Sequence, residues 1–380
     1  MLYGDGIHDD TLALQALLDE CGIVTLNKPA TYLVSKTLII HSNTRFEISP
    51  GVTFVAAPMS RCALIENEHF RDPSGRDENI EIIGGIWDGN CDAMGLDAVY
   101  EAEHRLDDPF HPDLFKGKLI RFARIDRITL QRMTVKNPVS YGIQIADVYG
   151  FVVRDIFFDY NWHFGTTDGV HINGPAYDGV IENLSGTTND DMVSLTTYDE
   201  PHAEVTLGEI ANVYIHNLCA RNGYSGVRLL SGENYDLRNV RVDGVYGTYR
   251  HHAVVISNHN MRPGRTWFEG VVLENIYASK SHTPLGEGCF LYWEKGADAN
   301  AFISIGRGSI CGDMVIRNVF RHQEASTESP LILCSSKASI KRLYLENIRQ
   351  TTAEGATAPF FDIRAEIGEL IEHDVKDGSQ

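Results

Sequence analysis

The sequence predicts an all-β chain wound as one right-handed, single-stranded parallel β-helix with an N-terminal capping helix. Three observations carry that expectation: a recurring apolar–polar–Asn–apolar tetrad, a recurring five-residue strand of alternating character, and a short amphipathic stretch near residue 10. Each is justified in turn.

The tetrad reads Ile181-Glu182-Asn183-Leu184, Ile215-His216-Asn217-Leu218, Leu237-Arg238-Asn239-Val240, Leu273-Glu274-Asn275-Ile276, Ile316-Arg317-Asn318-Val319 and Leu345-Glu346-Asn347-Ile348. The Asn intervals are 34, 22, 36, 43 and 29 residues, and Asp155 in Val153-Arg154-Asp155-Ile156 lies 28 before Asn183. A bare rung of a solenoid takes about 22 residues, so longer intervals imply loops inserted at a corner. Asn suits a corner because it tolerates left-handed backbone and bonds its neighbours above and below.

The alternating strand recurs as Tyr141-Gly142-Ile143-Gln144-Ile145, Asp168-Gly169-Val170-His171-Ile172 and Asp191-Met192-Val193-Ser194-Leu195. It continues as Ser225-Gly226-Val227-Arg228-Leu229, His252-Ala253-Val254-Val255-Ile256 and Glu287-Gly288-Cys289-Phe290-Leu291. Side chains alternate along a strand, which stacks Ile143, Val170, Val193, Val227, Val254 and Cys289 inside. Gln144, His171, Ser194, Arg228, Val255 and Phe290 then face out on one sheet.

The ends read as caps. Residues 9–21, DDTLALQALLDEC, place apolar residues at helical spacing behind an acidic start, which predicts a capping helix within a cap of about residues 1–25. After about Gly355 the repeat fades into a polar tail over 355–380, the expected second cap. No linker divides the chain, so residues 1–380 read as a single domain.

Composition narrows the partners. The net charge of −19 argues against nucleic acid or an anionic membrane, both of which need a basic footprint. No apolar run approaches the ~18 residues of a membrane span. The seven cysteines are scattered without a CxxC or Cys/His pairing, so they read as small buried thiols and not as a disulfide framework or zinc site. No cofactor or metal motif is evident. The first residues lack a basic n-region and an apolar h-region, which predicts a cytoplasmic protein, or a secreted one if a leader was removed. Oligomeric state has no signature.

The first residues of the aligned strands form a column: Tyr141, Asp168, Asp191, Ser225, His252, Glu287. Asp168 and Asp191 lie 23 residues apart, one rung, and Asp190 adds a third carboxylate. Acids this close divide into a proton donor and a base, the pairing that glycoside cleavage needs. A solvated turn or a cation site is the plainer reading of Asp-Asp alone; Asp168 one rung away favours catalysis. His171, Arg228 and His252 share that face as candidate substrate contacts, with Gln144, Glu287 and the aromatics Tyr224, Tyr292 and Trp293. For Arg228 a salt bridge to Asp191 is the competing assignment.

These residues carry a family resemblance. Gly165-Thr166-Thr167-Asp168-Gly169-Val170 resembles the Asn-Thr-Asp-Gly motif of family 28 glycoside hydrolases, the polygalacturonase group. Asn189-Asp190-Asp191-Met192-Val193-Ser194 resembles the same family's Gly-Asp-Asp-Cys motif, and Gly84-Gly85-Ile86-Trp87-Asp88-Gly89-Asn90 its Gly-rich early rungs. Residues 4–11 are similar to the N-terminal cap of many pectate-lyase-like β-helices. The resemblance implies an inverting glycoside hydrolase, with Asp190 as general acid and Asp168 plus Asp191 activating water.

Two departures shift the expected substrate. The family's Gly-His-Gly falls on Tyr224-Ser225-Gly226, and its Arg-Ile-Lys on Val255-Ile256-Ser257. A carbohydrate other than plain polygalacturonate, neutral or acidic and held differently, is the expected partner. A non-catalytic glycan-binding or spike-like β-helix and a polysaccharide lyase are the alternatives.

Overall fold

A computed structural model describes residues 1–96, 117–198, 205–232, 234–258, 267–290 and 300–379. Every pairing between named strands is parallel, and each strand lies against one from the next rung. The strand Ile143–Asp159 illustrates the winding. It lies against Val170–Thr187 with Ile143 opposite Val170, Phe151 opposite Gly179 and Phe157 opposite Ser185. One strand thus runs across three faces of the coil, bending where the backbone turns left-handed.

The bends are the asparagines of the tetrad. Asp155, Asn183, Asn217, Asn239, Asn275, Asn318 and Asn347 all have φ between 50° and 58°. Their amides bond along the stack: Asn217 to Asn183 at 2.8 Å, Asn183 to Asp155 at 3.0 Å, Asn347 to Asn318 at 3.0 Å and Asn318 to Asn275 at 3.1 Å. Asn239 departs from the expected column. Its amide donates to Asn212 at 3.1 Å, and Asn212 to Asp178 at 3.0 Å, so it belongs to a second corner. In the first column its level is taken by Gly244 at φ 91°, since Val245 lies opposite both Leu218 and Ile276. The 22-residue interval therefore measures a change of corner, not a bare rung.

The predicted interior is observed for Ile143, Val170, Val193, Val227 and Val254, none of which has exposed surface. The next member differs. Ile303 lies opposite Val254, whereas Glu287 and Gly288 form a turn and Cys289 is only half-buried. A long excursion separates these two rungs, and Glu287–Leu291 imitates the alternating pattern by chance.

The ends also differ in detail. The helix covers Thr11–Leu18 and places Leu14 and Leu18 in the core, while Asp5–Asp9 forms a strand paired with Ala30–Val34. Residues 366–378 are no polar tail: they form a strand in register with Ser339–Thr352. Exposed Glu366, Glu369, Glu372 and Lys376 are interspersed there with the partly buried Ile367, Ile371 and Val375. Of the cysteines only Cys91, Cys311 and Cys334 are buried, and Cys21 and Cys219 are exposed. Among the described residues no helix is long and apolar enough to cross a membrane.

Candidate active site

The site grows from one column on one sheet. Register places Lys118, Tyr141, Asp168, Asp191, Ser225, His252 and Ala301 at successive levels, with Asp191 directly opposite Ser225. Backbone bonds tie the levels together: Gly142 N–H to Asp168 O at 2.8 Å, Gly169 N–H to Asp191 O at 2.9 Å and Gly226 N–H to His252 O at 3.0 Å. Glycine after the acid is a packing requirement, because a Cβ at Gly169 would lie 2.6 Å from the Met192 carbonyl oxygen.

The three aspartates converge. One carboxylate oxygen from each of Asp168, Asp190 and Asp191 lies within 4.8 Å of the others. Asp168 and Asp191 are buried and Asp190 is half-buried. The Asp191 N–H donates to Asp168 Oδ1 at 3.1 Å, linking the two rungs at the acids themselves. Asn189 pins the preceding turn, donating from its backbone to Thr167 Oγ1 and from its side chain to the Phe164 carbonyl.

Two acids have basic partners. His171 Nδ1 lies 2.6 Å from Asp168 Oδ2. Asn173 Nδ2 lies 3.3 Å from His171 Nε2, and Gln144 donates to Asn173 Oδ1 at 2.9 Å. This chain assigns the ring proton to Nδ1, so His171 orients Asp168. The Tyr141 ring stacks on His171 at 4.1 Å, and Lys118 Nζ lies 5.0 Å from the Tyr141 ring centre. Arg228 Nε lies 2.8 Å from Asp191 Oδ2. Each acid thus has a nitrogen of a basic side chain within 3 Å of one carboxylate oxygen.

Beyond Asp191 the surroundings are cationic yet internally committed. Lys280 Nζ donates to the carbonyls of Arg250, His251 and Asn300 at 2.8, 2.7 and 3.3 Å. The Arg250 guanidinium donates to Asn189 Oδ1 at 2.9 Å and lies over the Trp162 and Tyr224 rings. His252 Nδ1 donates to the Ala301 carbonyl at 2.6 Å. Burial pushes the His252 imidazole down to about 3, with Lys280 and Arg228 adding to it and the Ala301 bond opposing. His251 is lowered as well, by burial first and then by His252, Arg228, Lys280 and Arg250.

Of the expected substrate contacts, His171, Arg228, His252 and Gln144 line the column, though His171 and Gln144 are buried and bonded to it. Tyr224 is no open platform: it is buried, stacked on His251 and covered by Arg250. Glu287 lies in an exposed turn outside the column, whose place is held by Ala301. Tyr292 and Trp293 lie outside the described residues. Lys118, Asn173, Asn189, Arg250 and Lys280 were missed. Lys118 had a signal, since Lys118-Leu119-Ile120-Arg121-Phe122 repeats the alternating strand one rung earlier. Arg250 and Lys280 had none, as each arrives from a corner with no repeat of its own. The aspartate trio also forms a donor set that suits a divalent cation, as does Glu68 with His69 and Asp77.

No family model and no curated protein matches the chain. Solved structures do. The Streptococcus pneumoniae surface protein and adhesin PfbA is 16% identical with a TM-score of 0.67, over 100% of this chain and 96% of that one. A hyperthermoactive exopolygalacturonase from Thermotoga maritima is 13% identical at TM-score 0.62, over 98% and 90%. The A-module of the Azotobacter vinelandii mannuronan C-5 epimerase AlgE4 is 13% identical at TM-score 0.59, over 99% and 98%. A family 28 exopolygalacturonase from Yersinia enterocolitica is 15% identical at TM-score 0.56, over 96% and 76%. At these identities the shared property is the fold: the chain is a right-handed parallel β-helix, similar in fold to family 28 polygalacturonases.

Proposed function

We propose that the protein is a glycoside hydrolase whose reaction is carried by Asp168, Asp190 and Asp191. The observation that supports it most is the convergence of three carboxylates from two adjacent rungs within 4.8 Å. Asp168 and Asp191, which lie against His171 and Arg228, take the water-activating role, and half-buried Asp190 takes the role of proton donor to the leaving oxygen. An elimination would need a free basic Lys or Arg, whereas Arg228 is paired with Asp191.

Asp190→Asn is expected to abolish turnover, by a factor of at least about 10² as for loss of a general acid, while folding and glycan binding persist. Near-normal turnover in that variant removes the assignment. An unsaturated, ultraviolet-absorbing product would establish a lyase instead.

The stereochemical course has two readings. The family resemblance implies inversion. Retention would instead make one of the acids a nucleophile that forms a covalent glycosyl intermediate. Proton NMR of the first-formed anomer decides: the opposite anomer supports the water-activating roles of Asp168 and Asp191, and the same anomer makes one of them a nucleophile.

A further inference from the structure

We propose that Ser225 and His252 form a hydroxyl-selective sugar subsite on the C-terminal side of the acids, which selects a neutral ring over a uronate. This deepens the hydrolase reading and rests on it for the identity of the bound glycan.

Ser225 occupies the level after Asp191, directly opposite it in register. Its side chain is 1% exposed, and its Oγ has no hydrogen-bond partner among the described residues. A buried hydroxyl without a partner destabilises a fold, and such groups persist where a ligand completes them. The position also carries the departure noted in the sequence, where Tyr224-Ser225-Gly226 replaces a His-centred motif.

His252 occupies the next level, roughly 4.8 Å further along the stack. With Nδ1–H given to the Ala301 carbonyl at 2.6 Å, Nε2 carries a lone pair, and no hydrogen bond reaches it among the described residues. Burial first, and then Lys280 and Arg228, keep this imidazole neutral. The two levels therefore present one hydroxyl, able to donate or accept, beside one pure acceptor. A sugar hydroxyl satisfies both, donating to Nε2 and pairing with Oγ. A carboxylate has no proton to give and meets the Nε2 lone pair with its own.

The neighbouring cations engage other groups. Lys280 directs its ammonium at three backbone carbonyls. Arg250 is enclosed between Trp162 and Tyr224 while bonded to Asn189 and to the Asn222 carbonyl. Arg228 is engaged by Asp191. Their charge persists, as the lowered His252 pKa shows, so discrimination rests on which hydrogen-bond donors reach the two levels.

The test uses matched polysaccharide pairs: galactan with galacturonan, glucan with glucuronan, mannan with mannuronan. The wild-type protein is expected to cleave a neutral member at least tenfold faster than its uronate counterpart. Ser225→Ala should lower kcat/KM on that member about tenfold while raising Tm, because it removes the orphaned hydroxyl; Ser225→Thr, which keeps a hydroxyl, should recover part of the rate. A faster uronate, an unchanged rate in Ser225→Ala, or a fall in Tm together with rate overturns the subsite. If the wild type cleaves no member, hydrolysis fails but the subsite is still judged, by calorimetric binding of the same panel to the Asp190→Asn variant. Neutral preference lost on adding Ser225→Ala supports it, and uronate preference or no binding contradicts it.

Discussion

Asp168 receives His171 from three residues further along the chain, and Asp191 receives Arg228 from the following rung. The Arg228 contact was weighed in the sequence as a salt bridge across one rung; the His171 contact was not, because residues three apart on a strand face opposite ways and Asp168 lies just before the strand that begins at Val170. The partners of His252 were not legible either, because Ala301 lies 49 residues away across an excursion and Lys280 belongs to another face. Their consequence is measurable. The folded pKa of His252, about 3, lies below the ordinary value of 6.5. His252 therefore contributes stability that is complete above pH ~6.5 and is lost as pH falls toward 3. Tm should decline between pH 6.5 and 4, and His252→Gln should flatten that decline. An equal decline in the variant would show that His252 is not buried neutral. The pH–rate profile should likewise show no limb from His252 near neutrality.

At the scale of the strand, the corner asparagines decide the geometry. Asn217 has φ 58°, donates to Asn183 and lies exposed between two buried residues, Ile215 and Leu218 among its close neighbours. Asn217→Ala should destabilise by about 1–2 kcal/mol, the left-handed penalty of an ordinary residue plus a modest ladder bond. Asn217→Gly should cost less, since glycine restores the backbone freedom and loses only the bond. Equal losses in urea unfolding would mean that the corner is held by something other than its left-handed turn. The tetrad was readable because this constraint repeats. Asn239 was assigned to the wrong corner because two corners share the same chemistry, and only register tells them apart. The strand Glu366–Gly378 was overlooked for a related reason: its outward charges break the apolar rhythm that marks interior rungs.

Across the whole molecule, a winding solenoid turns sequence separation into vertical distance, which is why residues 168 and 191 meet while 287 does not. The fold was legible from repeats alone, and the acids from one-rung spacing. What sequence could not show was the packing laid over the cleft floor: the burial of Tyr224 under Arg250, and the clamp that Arg250 places on Asn189 beside the acids. The net charge of −19 agrees with a glycan whose recognition does not depend on a basic groove. The central claim is that three aspartates direct water onto a glycosidic bond. Cleavage of a neutral polysaccharide in ¹⁸O-enriched water, read by mass spectrometry, tests it most directly. The predicted result is one ¹⁸O at each new reducing end with the wild type and none with Asp190→Asn; chain cleavage without ¹⁸O, or no cleavage across the panel, would contradict it.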